Sequence, residues 1–197
     1  MDRPSTSDDE AKYPWLRILL DAYEKSDRLT GAALAKGPAV ACTKGCSNCC
    51  KKASIPFTEP ELAGISWYVL EKLSGPIRET IKTRLKAHAA TAECPFLVSD
   101  SCSIYPVRPL ICRQFHVKRY PCGEDEDVEI TRPEDIVSPK EVARGSGMKL
   151  LEYWEIKGKL KQERAFDRGF LAEKARQMHE YDWNIIATRM EGQESAI

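Results

Sequence analysis

The sequence predicts a mainly α fold, a single small helical domain with irregular, proline-rich loops and little or no β structure. Three observations predict it. Apolar residues recur at helical spacing on both sides of a central region that prolines interrupt. With 197 residues and 42% apolar composition, the chain is long enough for one domain with its own core. All eight cysteines lie between Cys42 and Cys122, so the irregular region is also the cysteine-rich one.

The N-terminal part is predicted to be helical up to the first cysteines. Residues 13–36 carry apolar side chains at loosely helical spacing, and Gly37-Pro38 follows them, which predicts a first helix or helix pair. After the first cysteines, Pro56 disfavours helical backbone in the residue before it. Residues 54–57 are therefore predicted to form a short extended segment.

Two further helices are predicted before the second set of cysteines. Thr58 and Glu61 form a capping-box pattern, and the helix that they begin is stopped by Ser74-Gly75-Pro76. Residues 77–92 then restart a helix with apolar side chains along one side. Prolines interrupt the chain beyond this point, so the second set of cysteines is predicted to lie on turns and short helical pieces.

The C-terminal part is predicted to be an acidic connector followed by helices. Residues 123–138 are rich in aspartate and glutamate. Ser138-Pro139-Lys140-Glu141 is a second capping-box pattern with proline at the first helical position, which predicts the start of a helix. Amphipathic spacing predicts further helices over residues 148–160 and 166–190.

These elements divide the chain into three predicted segments. Residues 1–41 form an N-terminal helical segment, and residues 42–122 form a cysteine-cluster core. Residues 123–197 supply the acidic connector and C-terminal helices, which are expected to pack on the core.

The cysteines have the spacing of a metal site. The first four follow the pattern Cys42-x3-Cys46-x2-Cys49-Cys50, and the second four are Cys94, Cys102, Cys112 and Cys122. Thiolates are soft ligands that suit zinc and iron-sulfur clusters, and both commonly take four of them. Eight cysteines therefore fill two such sites or overfill one, and all eight are predicted to be metal ligands on metal-binding loops.

A disulfide framework is the main alternative, and it needs an oxidising compartment. The sequence opens with an acidic patch at Asp8-Asp9-Glu10, and the early apolar run is interrupted by Arg17, so no export signal is visible. No stretch approaches the roughly 20 apolar residues of a membrane helix. The expectation is a cytoplasmic protein with reduced thiols and no membrane association.

The adjacent pair Cys49-Cys50 carries geometric information. Neighbouring side chains point about 100° apart on a helix, so two adjacent cysteines rarely turn to one small metal. The prediction is that Cys42, Cys46 and Cys49 share one centre, while Cys50 faces another centre or binds no metal. The first centre then takes its fourth ligand from the second set, which closes a long loop of chain.

The charge balance excludes a general polyanion-binding role. Thirty basic and thirty acidic residues cancel, so no nucleic-acid partner is expected. Basic residues nevertheless lie close to the cysteines, where they either offset thiolate charge or form ordinary solvated surface: Lys44, Lys51, Lys52, Arg108, Arg113, Lys118 and Arg119. A four-thiolate zinc site and a four-thiolate [4Fe-4S]²⁺ cluster have the same net charge, so these residues do not distinguish the metals.

The second set of cysteines lies in a longer motif. Cys94-Pro95-Phe96-Leu97 is followed by Cys102-x-Ile104-Tyr105-x2-Arg108-Pro109-x2-Cys112-Arg113-x-Phe115. Together with the first set, this motif resembles the YkgJ-type cysteine-cluster proteins, described as zinc- or iron-chelating domains, over residues 42–122. The resemblance implies a small, mostly helical metal-binding domain of a kind assigned to iron-sulfur proteins or oxidoreductases.

Several other residues of this motif have a predicted role at the site. Arg108 and Arg113 are predicted to bind the cofactor region by donating hydrogen bonds to backbone carbonyls or to sulfur ligands. Tyr105 and Phe115 are predicted to shield the site from water, with simple packing as the alternative. His116 lies close enough to Cys112 in sequence to replace a thiolate, although a surface or supporting position suits it as well.

The sequence therefore favours a metal-binding cysteine-cluster protein that holds an iron-sulfur cluster ([4Fe-4S]) or iron, with zinc as the alternative cofactor. Its expected role is electron transfer, or a redox or accessory function with a protein partner, including that of an iron-sulfur oxidoreductase. Two other roles stay open: a zinc-stabilised structural or interaction module, and a metal-dependent enzyme with an open coordination position. No catalytic residue can be named.

Overall fold

The computed structural model describes residues 3–43, 45–51, 55–88, 93–123, 126–137 and 140–194. The described chain is mainly helical, and it forms one compact domain, as the sequence predicts. The α-helices are α1 (Ser7–Lys12), α2 (Pro14–Leu34), α3 (Asn48–Lys51), α4 (Glu59–Trp67), α5 (Gly75–Ala87), α6 (Leu110–Gln114), α7 (Val128–Thr131), α8 (Lys140–Leu150), α9 (Lys159–Asp167), α10 (Phe170–Lys174) and α11 (Asn184–Glu194). Among the described residues, no helix has the length and apolar character needed to cross a membrane.

Helix α2 is the central helix of the domain, and its buried face explains why. Its buried side chains include Leu16, Leu19, Leu20 and Tyr23, which lie on one side at helical spacing. Helices α4, α6 and α8 pack against this helix. Helices α5 and α11 pack together, and their buried side chains complete the core.

Two glycines of α8 allow this helix to pack closely against α2 and against the α9–α10 region. A β-carbon added to Gly145 would lie 2.7 Å from Leu29 Cδ1 of α2. One added to Gly147 would lie 2.7 Å from Phe166 Cε2 and 2.9 Å from Leu171 Cδ1. The missing side chains therefore permit the packing of α8 between α2 and the α9–α10 region.

The predicted capping box at the start of α4 is confirmed. The Glu61 side chain accepts hydrogen bonds from the Thr58 backbone and hydroxyl, while the Thr58 hydroxyl faces the backbone of Glu61. The helix continues as a π-helical turn over Tyr68–Lys72. Helix α5 begins at Gly75, two residues before the predicted start, and part of its predicted end lies outside the described residues.

The β structure of the described residues consists of three short antiparallel pairs. Strand β1 (Pro56–Phe57) pairs with β6 (Arg176–Gln177), β2 (Leu97–Val98) pairs with β3 (Ser101–Cys102), and β4 (His116–Val117) pairs with β5 (Ile136–Val137). The first pair joins the extended segment predicted at 54–57 to the C-terminal region. Short 3-10 turns complete the irregular parts at Tyr105–Val107, Pro133–Asp135, Leu151–Trp154 and Met178–Glu180.

The prediction of two uninterrupted helices over 148–160 and 166–190 is wrong. The chain leaves helical geometry at Glu155 and Gly158, whose φ angles are 58° and 88°, and again at Gly169, whose φ angle is 80°. Left-handed backbone of this kind ends a right-handed helix. Between α10 and α11 the chain also forms β6 instead of helix. The second predicted capping box, at Ser138-Pro139, lies outside the described residues, although α8 begins directly after it.

Candidate metal centre

The first four cysteines lie on a loop and a short helix next to strand β4. The backbone N–H of Ala41 donates to Val117 O at 2.7 Å, and Val40 forms an isolated bridge with Lys118. These bonds place Cys42 beside β4, where its sulfur accepts a hydrogen bond from Val117 N at 3.3 Å. Gly45 then turns the chain with a φ of 88°, and Cys49 and Cys50 follow on α3.

The second four cysteines reach the same region from different parts of the chain. Cys94 is held by its backbone N–H, which donates to Cys50 O at 2.9 Å. Cys102 lies on β3, and Cys112 lies on α6. The carbonyl of Cys122 accepts a hydrogen bond from Asn48 Nδ2 at 2.8 Å. Direct backbone contacts thus join the two sets of cysteines, which are distant in sequence.

The cysteine side chains form two neighbourhoods. Burial is the largest cause that raises the pKa of Cys122, and the neighbouring thiols of Cys42 and Cys46 raise it further. Burial also raises the pKa of Cys112, with smaller contributions from Cys94, Cys102 and Cys49. Cys49 is an electrostatic neighbour of Cys42 in the first group and of Cys102 in the second.

This arrangement bears on the predicted grouping of the ligands. Cys122 is an electrostatic neighbour of Cys42 and Cys46, but no three possible ligands of the described residues are arranged around one ion, so the fourth ligand from the second set stays a prediction. Cys49 is the neighbour of Cys94, Cys102 and Cys112 as well as of the first group, so its assignment to one centre stays a prediction. Cys50 is hydrogen-bonded to Cys49 through their side chains.

All eight cysteines lie in the described residues, and all are free thiols. Burial raises the pKa of Cys94 to about 12 and also raises that of Cys102. The hydrogen bond with Cys50, and then burial, raise the pKa of Cys49. Thiols of this kind are protonated at neutral pH, so binding a metal requires them to release protons.

Seven of the eight cysteines line one cavity of about 400 Å³, and Cys42 is the exception. Cys94 is buried, and its sulfur lies 3.7 Å from the sulfur of Met178, which also lines the cavity. Thiolate sulfur suits zinc and iron-sulfur clusters, so the chemistry of the donor set fits the predicted metals. In the described part of the chain, however, no group of three or more His, Cys, Asp or Glu side chains is arranged to hold a metal ion.

Arg113 binds the backbone of the segment that precedes Cys112. Its side chain is only 3% exposed and forms an ion pair with Asp27 at 2.7 Å. It also donates to the carbonyl oxygens of Pro106 and Arg108, and it lies 4.0 Å from the ring centroid of Tyr23. Of the two predicted acceptors, carbonyl and sulfur, the structure shows the carbonyls. This network fixes the chain between the 3-10 turn and α6.

Arg108 is a cation that acts directly on the cysteine chemistry. Its guanidinium stacks 3.7 Å from the ring centroid of Tyr105 and lines the cavity. Burial is the largest influence on Cys102 and Cys112 and raises their pKa values, while the positive charge of Arg108 acts in the opposite direction. Arg108 therefore favours the thiolate forms that a metal needs.

The other residues predicted near the site have different positions. Phe115 and Tyr105 both line the cavity, although Tyr105 is 44% exposed, so its shielding of the site is only partial. His116 lies on β4, paired with Val137, and it does not line this cavity. Burial lowers the pKa of His116.

Two of the predicted flanking cations form ion pairs with carboxylates. Lys51 lies 3.2 Å from Asp100, and Arg119 lies 3.1 Å from the buried Asp135. Lys44 and Lys52 lie outside the described residues.

Glu61 and Met178 are two residues at the site that the sequence does not reveal. The sequence identifies Glu61 only as a helix cap, but its second oxygen also accepts a hydrogen bond from Leu110 N at 2.7 Å, at the start of the helix that carries Cys112. Met178 lies far outside the cysteine motif. No local pattern marks a methionine that contacts a thiol through tertiary packing.

Comparison with known proteins agrees with this description. Residues 41–136 match the family model named CxxCxxCC, whose description is "Putative zinc- or iron-chelating domain". No curated protein and no solved structure matches the chain. The matched range contains every cysteine of both neighbourhoods and both arginines, and it extends into β5. This segment is therefore similar to the CxxCxxCC family, in agreement with the resemblance that the cysteine motif carries.

Proposed function

We propose that the cysteines hold an iron-sulfur cluster of the [4Fe-4S] type and that the protein exchanges electrons with a protein partner as a redox or accessory protein. The observation that carries this proposal is the shared cavity of about 400 Å³, around which seven cysteines stand. The proposed ligands come from the eight cysteines Cys42, Cys46, Cys49, Cys50, Cys94, Cys102, Cys112 and Cys122.

The size of the shared cavity favours a cluster over a single ion. Zinc binds four thiolates at about 2.3 Å each, which draws the sulfurs into one small tetrahedron. In a four-iron cluster each thiolate binds a different iron, so the sulfurs stand further apart around a larger body. Thiols spread around one cavity, without three of the described residues being arranged as an ion site, suit the second geometry.

The surrounding residues are suited to holding such a group. When bound, a cluster of this type supplies one-electron exchange. Arg108 places a positive charge near Cys102 and Cys112 and so stabilises their thiolate forms. Ile104 and Met178 are buried and line the cavity, where they exclude water from its inner wall. Water exclusion and nearby charge both influence the reduction potential of a thiolate-held cluster.

Purification without oxygen tests the proposal directly. The expected protein is brown and contains iron and acid-labile sulfide, and dithionite bleaches its visible absorption. Cys112→Ser should reduce the iron and sulfide content, because it removes a sulfur from the cavity wall. Ser101→Ala is the matched control, since Ser101 is exposed and adjacent to Cys102. A colourless protein that contains zinc and no sulfide would overturn the proposal.

A zinc-stabilised module is the second candidate, and one observation favours it. Cys46 and Cys122 line a second, more superficial cavity, and both lie close to Cys42. A structural zinc site here would take Cys42, Cys46 and Cys122 together with Cys49, and their sulfurs would have to move closer together to bind one ion. A protein that carries zinc and no iron, and whose zinc content falls in Cys122→Ser, would support this function.

A further inference from the structure

The opening of the cysteine-lined cavity has charged and aromatic side chains that are not metal ligands in the proposed function. Tyr105, Asp127 and Glu129 are exposed and line the cavity, whereas Cys94 is buried. The cavity therefore extends from a sulfur-lined interior to an opening made of other side chains. The charges at this opening are the same whichever metal the thiols hold.

Arg108 lines the cavity and has guanidinium donors that could bind an anion. The Nε atom of Arg108 is buried and has no hydrogen-bond partner among the described residues. The guanidinium carbon lies 3.7 Å from the ring centroid of Tyr105, and this cation–π contact restrains its position. Within the described chain Arg108 forms no ion pair with a carboxylate, unlike Arg113 below it, which is paired with Asp27. A planar, oriented guanidinium with free donors binds a carboxylate through two parallel hydrogen bonds.

The cavity is also lined by negative charge. Asp127 and Glu129 line the same cavity, and neither forms an ion pair with another described residue. The Asp127 carboxylate accepts a hydrogen bond from Glu129 N at 3.1 Å, as the cap of α7. Their neighbour Glu126, in contrast, is neutralised by Arg132 at 2.7 Å. The two unpaired carboxylates suit an ammonium group.

The cavity also has an apolar part to its lining. Ile111, Phe115 and Val128 line this part of the cavity. A ligand with only a positive charge would be disfavoured by Arg108, and one with only a negative charge would be disfavoured by Asp127 and Glu129. A cavity lined by both kinds of charge therefore favours a ligand that carries both charges.

We propose that this opening binds a small zwitterion with an apolar side chain, of the amino-acid class, beside the cysteine-held metal. The carboxylate binds Arg108, the ammonium faces Asp127 and Glu129, and the side chain packs against Phe115 and Val128. This inference adds a ligand site to the proposed redox function, and it assigns Arg108 a role beyond offsetting thiolate charge.

Titration calorimetry on the metal-loaded, anaerobically purified protein tests this site. The probes are L-leucine, 4-methylpentanoate, which lacks the ammonium, and isoamylamine, which lacks the carboxylate. L-leucine is expected to bind, and each analogue is expected to bind at least about tenfold more weakly, since each loses a charge-assisted contact.

Variants locate the two halves of the site. Arg108→Gln is expected to weaken leucine binding about tenfold or more, through the lost bidentate contact. The double variant Asp127→Asn and Glu129→Gln, in which the amide at position 127 still supplies a cap acceptor, is expected to weaken it about threefold to tenfold, because exposed pairs contribute less. Arg189→Gln, at an exposed position on α11, is the control and should bind leucine as the wild type does.

Three results would overturn the inference: no heat of binding with L-leucine, unchanged leucine affinity in Arg108→Gln, or equal affinity for 4-methylpentanoate. Iron and sulfide are measured on the same samples. A brown protein that does not bind leucine would reject this site alone, and a zinc protein that binds leucine would reject the iron-sulfur proposal alone.

Discussion

Replacing Glu61 tests how the α-helical frame positions the cysteine loop. The side chain is only 3% exposed, and it accepts hydrogen bonds from Thr58 N at 2.7 Å, from Thr58 Oγ1 at 2.6 Å and from Leu110 N at 2.7 Å. It thus caps α4 and also anchors the first residue of α6, which carries Cys112. Glu61→Ala removes both connections.

The magnitude follows from the contacts that are lost. Losing a helix cap costs about 1 kcal/mol, and leaving the Leu110 N–H without an acceptor costs about 1–3 kcal/mol. Burial raises the pKa of Glu61, because the desolvation of its charge outweighs the donors around it, and removal of that cost offsets part of the loss. We expect Glu61→Ala to reduce the free energy of unfolding by about 2–3 kcal/mol.

The assay is urea unfolding of the wild type and variants, with metal content measured in parallel. Glu61→Gln keeps one carbonyl acceptor and should have a smaller effect than Glu61→Ala. Glu59→Gln is the control, because Glu59 is exposed in the same first turn, and it should change stability by less than about 0.5 kcal/mol. The metal content of Glu61→Ala should also fall, since α6 carries Cys112. If Glu61→Ala unfolds at the wild-type urea concentration, the proposed connection between α4 and α6 is wrong.

Three further predictions address metal removal, pH and packing. Removing the metal with a chelator should unfold the cysteine-cluster core, because coordination energy contributes to folding energy; unchanged circular dichroism and melting temperature would contradict this. Burial raises the pKa of Asp9, but hydrogen bonds from Lys72 and Thr6 outweigh it and lower the value to about 2 from the model-peptide value of 3.8. The stability that ionised Asp9 contributes is thus fully present above about pH 4 and is lost as the pH falls towards about 2. The difference in unfolding free energy between wild type and Asp9→Asn should therefore shrink over that interval. A difference that stays constant with pH would reject this role of Asp9. Gly147→Ala should destabilise the protein by about 1–3 kcal/mol through overpacking against α9 and α10. Gly192→Ala, where an added β-carbon meets nothing within 4 Å, should be neutral or slightly stabilising. Thermal unfolding of both variants measures the difference, and equal effects of the two substitutions would reject the packing argument.

The sequence is most informative where a local rule applies. The Thr58–Glu61 capping box is predictable because its two side chains bond to backbone only three residues away. The main core helix is also predictable, since α2 presents apolar residues at helical spacing over many turns. Local patterns are insufficient at Glu155 and Gly169. There the chain adopts left-handed backbone and breaks an amphipathic pattern that otherwise continues.

For the candidate metal centre, sequence and structure contribute different information. Spacing identifies the eight cysteines as one chemical unit, and the family match over residues 41–136 confirms the class of domain. Spacing could not show that Cys122 is a neighbour of Cys42 and Cys46, or that Cys49 is a neighbour of cysteines in both groups. These relations depend on how β4 pairs with the chain before Cys42 and on the bond from Asn48 to Cys122.

The sequence by itself determined that this is a mainly helical, cysteine-cluster domain of the zinc- or iron-chelating class, because thiol chemistry and helical periodicity are properties of residue type and spacing. Only the tertiary structure decided which residues surround the thiols. It turned Arg113 towards carbonyls, left Arg108 facing the cavity, and brought the sulfur of Met178 to 3.7 Å from that of Cys94. Contacts between distant residues follow from the packing of whole elements, and no short stretch of sequence encodes them.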